Sequence, residues 1–420
     1  IFMLLADNIA NAGFFQAFVQ KSHKTTAHDF STVFVVNLIV SISLYGVLFI
    51  AAPWVARFYD EPLLIDLARV LFLVIIVNAL YVVPKAKLTI NVDFKSQAHA
   101  NSISVVLSSV VAIVAVKLGF GYWSLVLLSL AKSIAMCGAL FFYAHWKPSV
   151  LFNKDSFKQL FGFGSKLLLA SIASTFVGNL YTVLIGQFFK AEQVGYFSQA
   201  TNLTNVLANT ITSILQGVTY PVLTAVQDDP ARITKIYKQV IAVTMLVALP
   251  CMLGFAAVAE LFVRLFLNDK WLPMAPILAA LSIARIVTPI SMINMNMVNA
   301  IGRSDLFFKV EMIKLPMTLL VLLLTVKWGI VLVAYGMILT SFIAFFINAY
   351  YPGKLYGFGG WQQLKVMFPM MVAAMVMYTC MHFIAFNNLW LSLIIKLFAG
   401  GVVYLLSCYL LKVHALFDIL

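Results

Sequence analysis

The sequence predicts an all-α, polytopic membrane protein: two parallel six-helix lobes followed by two further helices. Three observations carry this. Of 420 residues 63% are hydrophobic and only 10% charged, at a mean hydropathy of +0.99, which lies outside the soluble range. Apolar segments recur at the length of about 20 residues that a helix needs to cross a hydrocarbon core. Finally, short strings of residues repeat at a separation near 210, and a fixed period marks repeated architecture.

In chain order the apolar segments fall at 1–20, 30–57, 63–84, 98–117, 121–143, 165–188, 195–225, 236–266, 274–300, 307–326, 329–350, 365–386 and 389–411, thirteen in all. The longest polar interruption follows His145. There Asn153 is placed to cap a helix, Phe152 and Phe157 to staple it, and Phe157, Leu160 and Phe161 to form one apolar face. Lys147, Lys154, Lys158 and Lys166 supply a cationic rim, so 145–164 reads as an amphipathic linker lying on an anionic leaflet.

Lys and Arg divide unequally between alternate loops, eighteen on one side against seven on the other. The richer side is expected to be cytoplasmic, and with it the linker and the C-terminus. The chain opens at Ile1 within an apolar run. Thirteen spans would leave its start on the outer side, so a fourteenth helix is expected to be missing from the front.

The repeat makes this more specific. Arg57-Phe-Tyr-Asp60-Glu-Pro62 is echoed 207 residues later from Arg264, with Asp269 and Pro273; Asp93-Phe-Lys95 is echoed 212 later by Asp305 and Lys309; and Val116-Lys-Leu-Gly119 is echoed 210 later by Val326-Lys-Trp-Gly329. The offset spans six helices, an even number, so both copies have one orientation. Parallel repeats place a transport path between two lobes. The expected organisation is 1–144 as an N-terminal lobe with five of its six helices, 145–164 as linker, 165–352 as a C-terminal lobe, and 353–420 as two additional helices.

Polar residues inside spans are the informative ones, because a charge near the bilayer centre costs about 2.5–3.5 kcal/mol. Asp7 and Asn11 share a helix face. Two readings stand side by side: ion coupling or gating, and a helix-packing hydrogen bond. Lys132 and Arg285 lie mid-segment in different lobes. Either they face a central path, where Arg offers phosphate a bidentate fork, or they snorkel or pair with Asp7 or Glu260. Asn202, Asn205 and Asn209 form one polar stripe, and Asn294 follows Arg285, so these join the candidate substrate path. Asp66 with Arg69, and Glu311 with Lys314, are spaced for local neutralisation, while Lys396 is placed to snorkel. Prolines such as Pro250 and Pro289 free carbonyls that only protein or water can satisfy.

Other classes are excluded by the pattern. The net charge of +13 is spread thinly over many loops, which is topogenic and not a nucleic-acid stripe. Cys137, Cys251, Cys380 and Cys408 are far apart within apolar runs, so neither disulfides nor a metal site is expected. No nucleotide-binding or hydrolase motif is present, and no cofactor is expected.

Several strings resemble one family. Phe161-Gly-Phe-Gly-Ser-Lys-Leu-Leu-Leu169, Ala257-Val-Ala-Glu260, Lys270-Trp-Leu-Pro-Met-Ala-Pro276, Gly302-Arg-Ser-Asp-Leu306 and Phe346-Ile-Asn-Ala-Tyr-Tyr351 are similar to the polysaccharide-exporter branch of the multidrug/oligosaccharidyl-lipid/polysaccharide superfamily. The colanic acid and teichuronic acid exporters are the nearest in pattern. The resemblance implies a fourteen-helix fold like that of multidrug exporters of the superfamily. It implies a flippase, and no enzyme, moving undecaprenyl-diphosphate-linked oligosaccharide across the bacterial inner membrane by alternating access. Its partners would be lipid-linked oligosaccharide and membrane lipids, with a polysaccharide polymerase and glycosyltransferases nearby. A cation-coupled multidrug exporter of the same architecture is the main rival, and a membrane glycosyltransferase or polymerase a weaker one.

Overall fold

A computed structural model describes residues 27–91, 93–148, 153, 181–182, 184–224, 230–300 and 304–413. All regular structure among them is helical, and the chain forms two compact units, Ile1–Val183 and Leu184–Leu420. Asp7, Asn11, the segment at 1–20 and nearly all of the expected linker lie outside the described residues. Nine of the described helical stretches are long and apolar enough to cross a membrane.

In the first unit, α1 (Ala27–Phe58) leads into a short α2 (Leu64–Leu71) and α3 (Leu73–Ile90), then α4 (Phe94–Lys117) and α5 (Trp123–Ala144). Asp93 caps α4 by accepting from the Ser96 backbone at 3.0 Å. Hydrogen bonding from the Ser96 hydroxyl, and then from its backbone N–H, holds the Asp93 carboxyl below the usual carboxylate range. The turn into α5 uses Gly119 and Gly121 at φ 82° and 53°, a conformation glycine adopts without strain.

The packing of α4 inverts the soluble pattern. Its buried positions are Ala100, Ser104, Ser108 and Ala115, while Val106, Val110, Ile113 and Val116 are exposed. Small residues let backbones approach in a membrane, and α4 packs chiefly on α5. The serines satisfy themselves locally, Ser104 Oγ donating to the Asn101 carbonyl at 2.8 Å and Ser108 Oγ to Val105 at 3.0 Å.

The second unit contains α6 (Ala191–Thr224), α7 (Pro230–Ala257), a short α8 (Ala259–Phe266), a 3₁₀ turn (Asp269–Met274), α9 (Ala275–Arg285), α10 (Thr288–Ala300), α11 (Ser304–Val326), α12 (Ile330–Tyr356), α13 (Gly360–Phe383) and α14 (Leu389–Leu410). Its core gathers Tyr237, Met245 and Met252 of α7, Ile290 of α10, Phe345 of α12, Met370 and Met377 of α13, and Tyr404 of α14. The last two helices thus belong to this core.

Pro250 shows how a proline is accommodated here. It has no N–H for the Leu246 carbonyl one turn back, and the Tyr404 hydroxyl donates to that carbonyl at 2.9 Å in a buried position. A side chain of α14 thereby replaces the hydrogen bond that α7 lacks.

Helix boundaries echo the sequence repeat. From Leu64 to Ala275 is 211 residues, and from Phe94 to Ser304 is 210. Three expected segments nevertheless divide. The segment at 63–84 breaks at Phe72, that at 274–300 at Ile286–Val287, and that at 236–266 at Val258, after which α8 stands alone. In α8 the Arg264 guanidinium meets Glu260 at 2.9 Å and Asp269 at 3.8 Å, so its charge is neutralised locally.

Candidate functional site

The break between α9 and α10 falls near the middle of a stretch at 269–297 that is long and apolar enough to span a membrane. Its cause is legible: Pro289 has no N–H to donate to the Arg285 carbonyl. The Ile286 N–H turns back to Ile283 at 3.2 Å, and regular bonding resumes with Ser291 to Val287 at 3.0 Å.

Arg285 occupies the last turn of α9, where the helix dipole favours a cation. Its Nε is buried without a hydrogen-bond partner among the described residues. Glu260, which the sequence offered as a counter-ion, is bonded to Arg264 instead, and Arg285 makes no ion pair among the described residues. A guanidinium held in a span without a carboxylate is costly unless something anionic visits it. Beside the break, within the same unit, lies an apolar cavity of about 190 Å³ lined by Leu249, Ile286, Val287, Phe345 and Met367.

The other candidates are distributed. Lys132 is exposed on α5, in the first unit, and has no carboxylate partner among the described residues. On α6, Asn202 and Asn209 are exposed and Asn205 is half-buried, whereas Ala200, Thr204 and Ala208 of the same helix are buried. The asparagine stripe therefore points away from the core of its own unit.

Asn294 differs: it is fully buried in a polar ring. The Tyr237 hydroxyl donates to Asn294 Oδ1, Asn294 Nδ2 donates to Gln363 Oε1 at 3.2 Å, and Gln363 Nε2 lies 3.0 Å from the Tyr237 hydroxyl and 3.1 Å from the Phe358 carbonyl. The ring ties α7, α10 and α13 together with its hydrogen bonds largely satisfied. Asn294 is thus committed to packing in this conformation. Tyr237 and Gln363 carry no charge and sit in no recognisable motif, so nothing in the residue pattern singles them out.

Of the two local pairs, Lys314 and Glu311 meet at 2.5 Å. Arg69 does not turn to Asp66. Its guanidinium carbon lies 4.4 Å from the centroid of the Phe49 ring on α1, a cation–π geometry. A half-buried Arg gains more from a ring beneath it than from an exposed carboxylate shared with solvent.

Comparison with known proteins agrees with this architecture. A family described as "Polysaccharide biosynthesis protein" matches residues 1–276. The chain is 24% identical over 321 residues to the teichuronic acid biosynthesis protein TuaB of Bacillus subtilis, covering 73% of this chain and 63% of that one. It is 25% identical to the succinoglycan biosynthesis transport protein ExoT of Rhizobium meliloti, covering 67% and 57%, and 22% identical to the lipopolysaccharide biosynthesis protein WzxC of Escherichia coli, covering 75% and 64%. The matched region therefore spans less than two thirds of the length of each of these relatives. Among solved structures, the lipid II flippase MurJ in an inward closed conformation superposes with a TM-score of 0.81 at 14% identity, over 97% of this chain and 91% of that one. An inward-facing multidrug transporter of the same superfamily gives 0.57 at 18% identity, over 84% and 88%.

Proposed function

The chain belongs to the polysaccharide biosynthesis protein family and has the fold of that superfamily's transporters, and from this premise we propose that it is a flippase for lipid-linked oligosaccharide. Its cargo is an undecaprenyl-diphosphate-linked unit, moved from the cytoplasmic to the periplasmic leaflet of the bacterial inner membrane for surface polysaccharide assembly. The observation that carries this is Arg285: a guanidinium without an ion-pair partner among the described residues, at a break near the middle of a span.

In this reading Arg285 receives the diphosphate. Lys132 supplies a second cation from the N-terminal lobe, the asparagine face of Asn202, Asn205 and Asn209 holds the first sugars, and Asn294 joins the path. Asp7 and Asn11 couple an ion or gate the path. The lobes are 1–144 and 165–352, joined by a cytoplasmic amphipathic linker at 145–164, with 353–420 as additional helices and the C-terminus cytoplasmic. Glycosyltransferases and a polymerase supply and consume the unit.

The multidrug reading shares the fold, but a cationic drug would be repelled by the same uncompensated arginine, so anionic cargo fits better. The test is complementation of a strain lacking the flippase. Arg285→Ala and Lys132→Ala are each expected to abolish surface polysaccharide while the protein still inserts at normal levels. Full complementation by both variants sinks the site assignment, and resistance to cationic dyes conferred by the wild type favours the rival.

A further inference from the structure

The first unit carries a polar face that this function has not used. On α1, Asn37, Ser41, Tyr45 and Phe49 recur every four residues, so they line one side of the helix. Asn37 and Ser41 are 0% exposed, yet among the described residues neither amide atom of Asn37 nor the Ser41 hydroxyl has a hydrogen-bond partner. Among the described residues the hydroxyls of Thr201 and Thr244 are also buried without a partner, whereas Thr204 and Ser282 bond back to the carbonyl four residues earlier at 2.9 and 2.7 Å, as hydroxyls in membrane helices commonly do.

Farther along the same face the Tyr45 and Phe49 rings lie 5.9 Å apart. The Arg69 guanidinium lies over the Phe49 ring, and its Nε is buried without a hydrogen-bond partner among the described residues. From Asn37 to Phe49 the helix rises about 18 Å. Leu44, Tyr45 and Leu48 close this stretch against Phe72 and Ile75.

We propose that this face of α1 is a second binding surface for the same cargo, taking sugar hydroxyls at Asn37 and Ser41 and a phosphate at Arg69 when α1 parts from the helices that cover it. The proposal rests on the flippase reading and deepens it. Buried amides and hydroxyls without a hydrogen-bond partner are unfavourable in an apolar interior, so the closed face carries a cost that a hydroxyl-bearing head group relieves. A ligand that binds only the open state then draws the protein toward it. Aromatic rings beside the polar atoms suit the apolar faces of sugars, and a guanidinium suits phosphate oxygens.

The experiment uses proteoliposomes of phosphatidylethanolamine, with or without phosphatidylglycerol, and a fluorescent undecaprenyl-diphosphate-linked disaccharide. Asn37→Leu/Ser41→Ala removes the unpartnered groups and is expected to raise the thermal midpoint while slowing translocation at least tenfold. Ser41→Ala alone, which hardly alters volume, is expected to show both effects to a smaller extent. Arg69→Gln is expected to raise the half-saturating substrate concentration about tenfold in both lipid mixtures.

Higher stability with wild-type translocation would overturn the proposal, leaving the face a packing defect or a water site. An Arg69→Gln deficit seen only with phosphatidylglycerol present would assign Arg69 to bulk lipid head groups and overturn its phosphate role. Wild-type protein that moves no lipid-linked sugar would overturn the flippase reading, and this inference with it.

Discussion

Tyr404→Phe removes one oxygen atom and leaves ring and packing in place. Its hydroxyl is the donor, at 2.9 Å, to the Leu246 carbonyl that Pro250 leaves free, and Tyr404 is 3% exposed, so no water can take over. A buried carbonyl left without a donor costs about 1–3 kcal/mol. Hydrogen bonds measured between membrane helices average about 0.6 kcal/mol and reach about 1.7. The expected loss is therefore about 1–2 kcal/mol, read by reversible unfolding in mixed detergent micelles.

The proline supplies the control. Pro250→Ala restores an N–H that can reach Leu246, so adding Tyr404→Phe to that background should cost less than about 0.5 kcal/mol. Equal losses in the two backgrounds would refute the argument that Tyr404 substitutes for the missing helix bond, because the coupling would then be absent.

Two further outcomes follow from packing. Asn294→Leu opens the ring between α7, α10 and α13 and strands the Gln363 amide, so a loss of about 2–3 kcal/mol is expected in the same assay; tolerance of leucine there would show that the ring does not hold those helices. Gly353→Ala places a Cβ 2.7 Å from the Gly359 Cα, where backbone must shift, so destabilisation of about 1–3 kcal/mol is expected, and a neutral result would mean that the α12–α13 turn yields freely.

Hydropathy made most long helices legible. The segment expected at 389–411 is α14 at Leu389–Leu410, and that at 98–117 ends with α4 at Lys117. What it missed were divisions inside apolar runs. The break at Phe72 involves neither proline nor glycine: Phe72 still bonds to Ala68 at 2.8 Å and Ile75 to Phe72 at 3.0 Å, so only a local tightening separates α2 from α3. By contrast Thr288-Pro289 announces its break.

The candidate site was half legible for a similar reason. A charge in a span such as Arg285 stands out against its neighbours, but whether it is neutralised depends on Glu260 choosing Arg264, one helical turn away. The partners that Asn294 has here, Tyr237 and Gln363, lie 57 and 69 residues away in sequence and could not be read from it. Arg69 likewise looked paired with Asp66 because the spacing allows it, whereas the ring of Phe49 is visible only once α1 and α2 are folded together.

The inverted packing of α4 bears on how such a chain drifts in evolution. Lipid asks of its outer valines and isoleucines only that they stay greasy, and any branched residue answers equally well. Much of what seats the helix lies in four small inward residues spaced along its length. Most letters of such a helix can turn over without moving it, so kinship within this architecture fades from the sequence long before it fades from the shape.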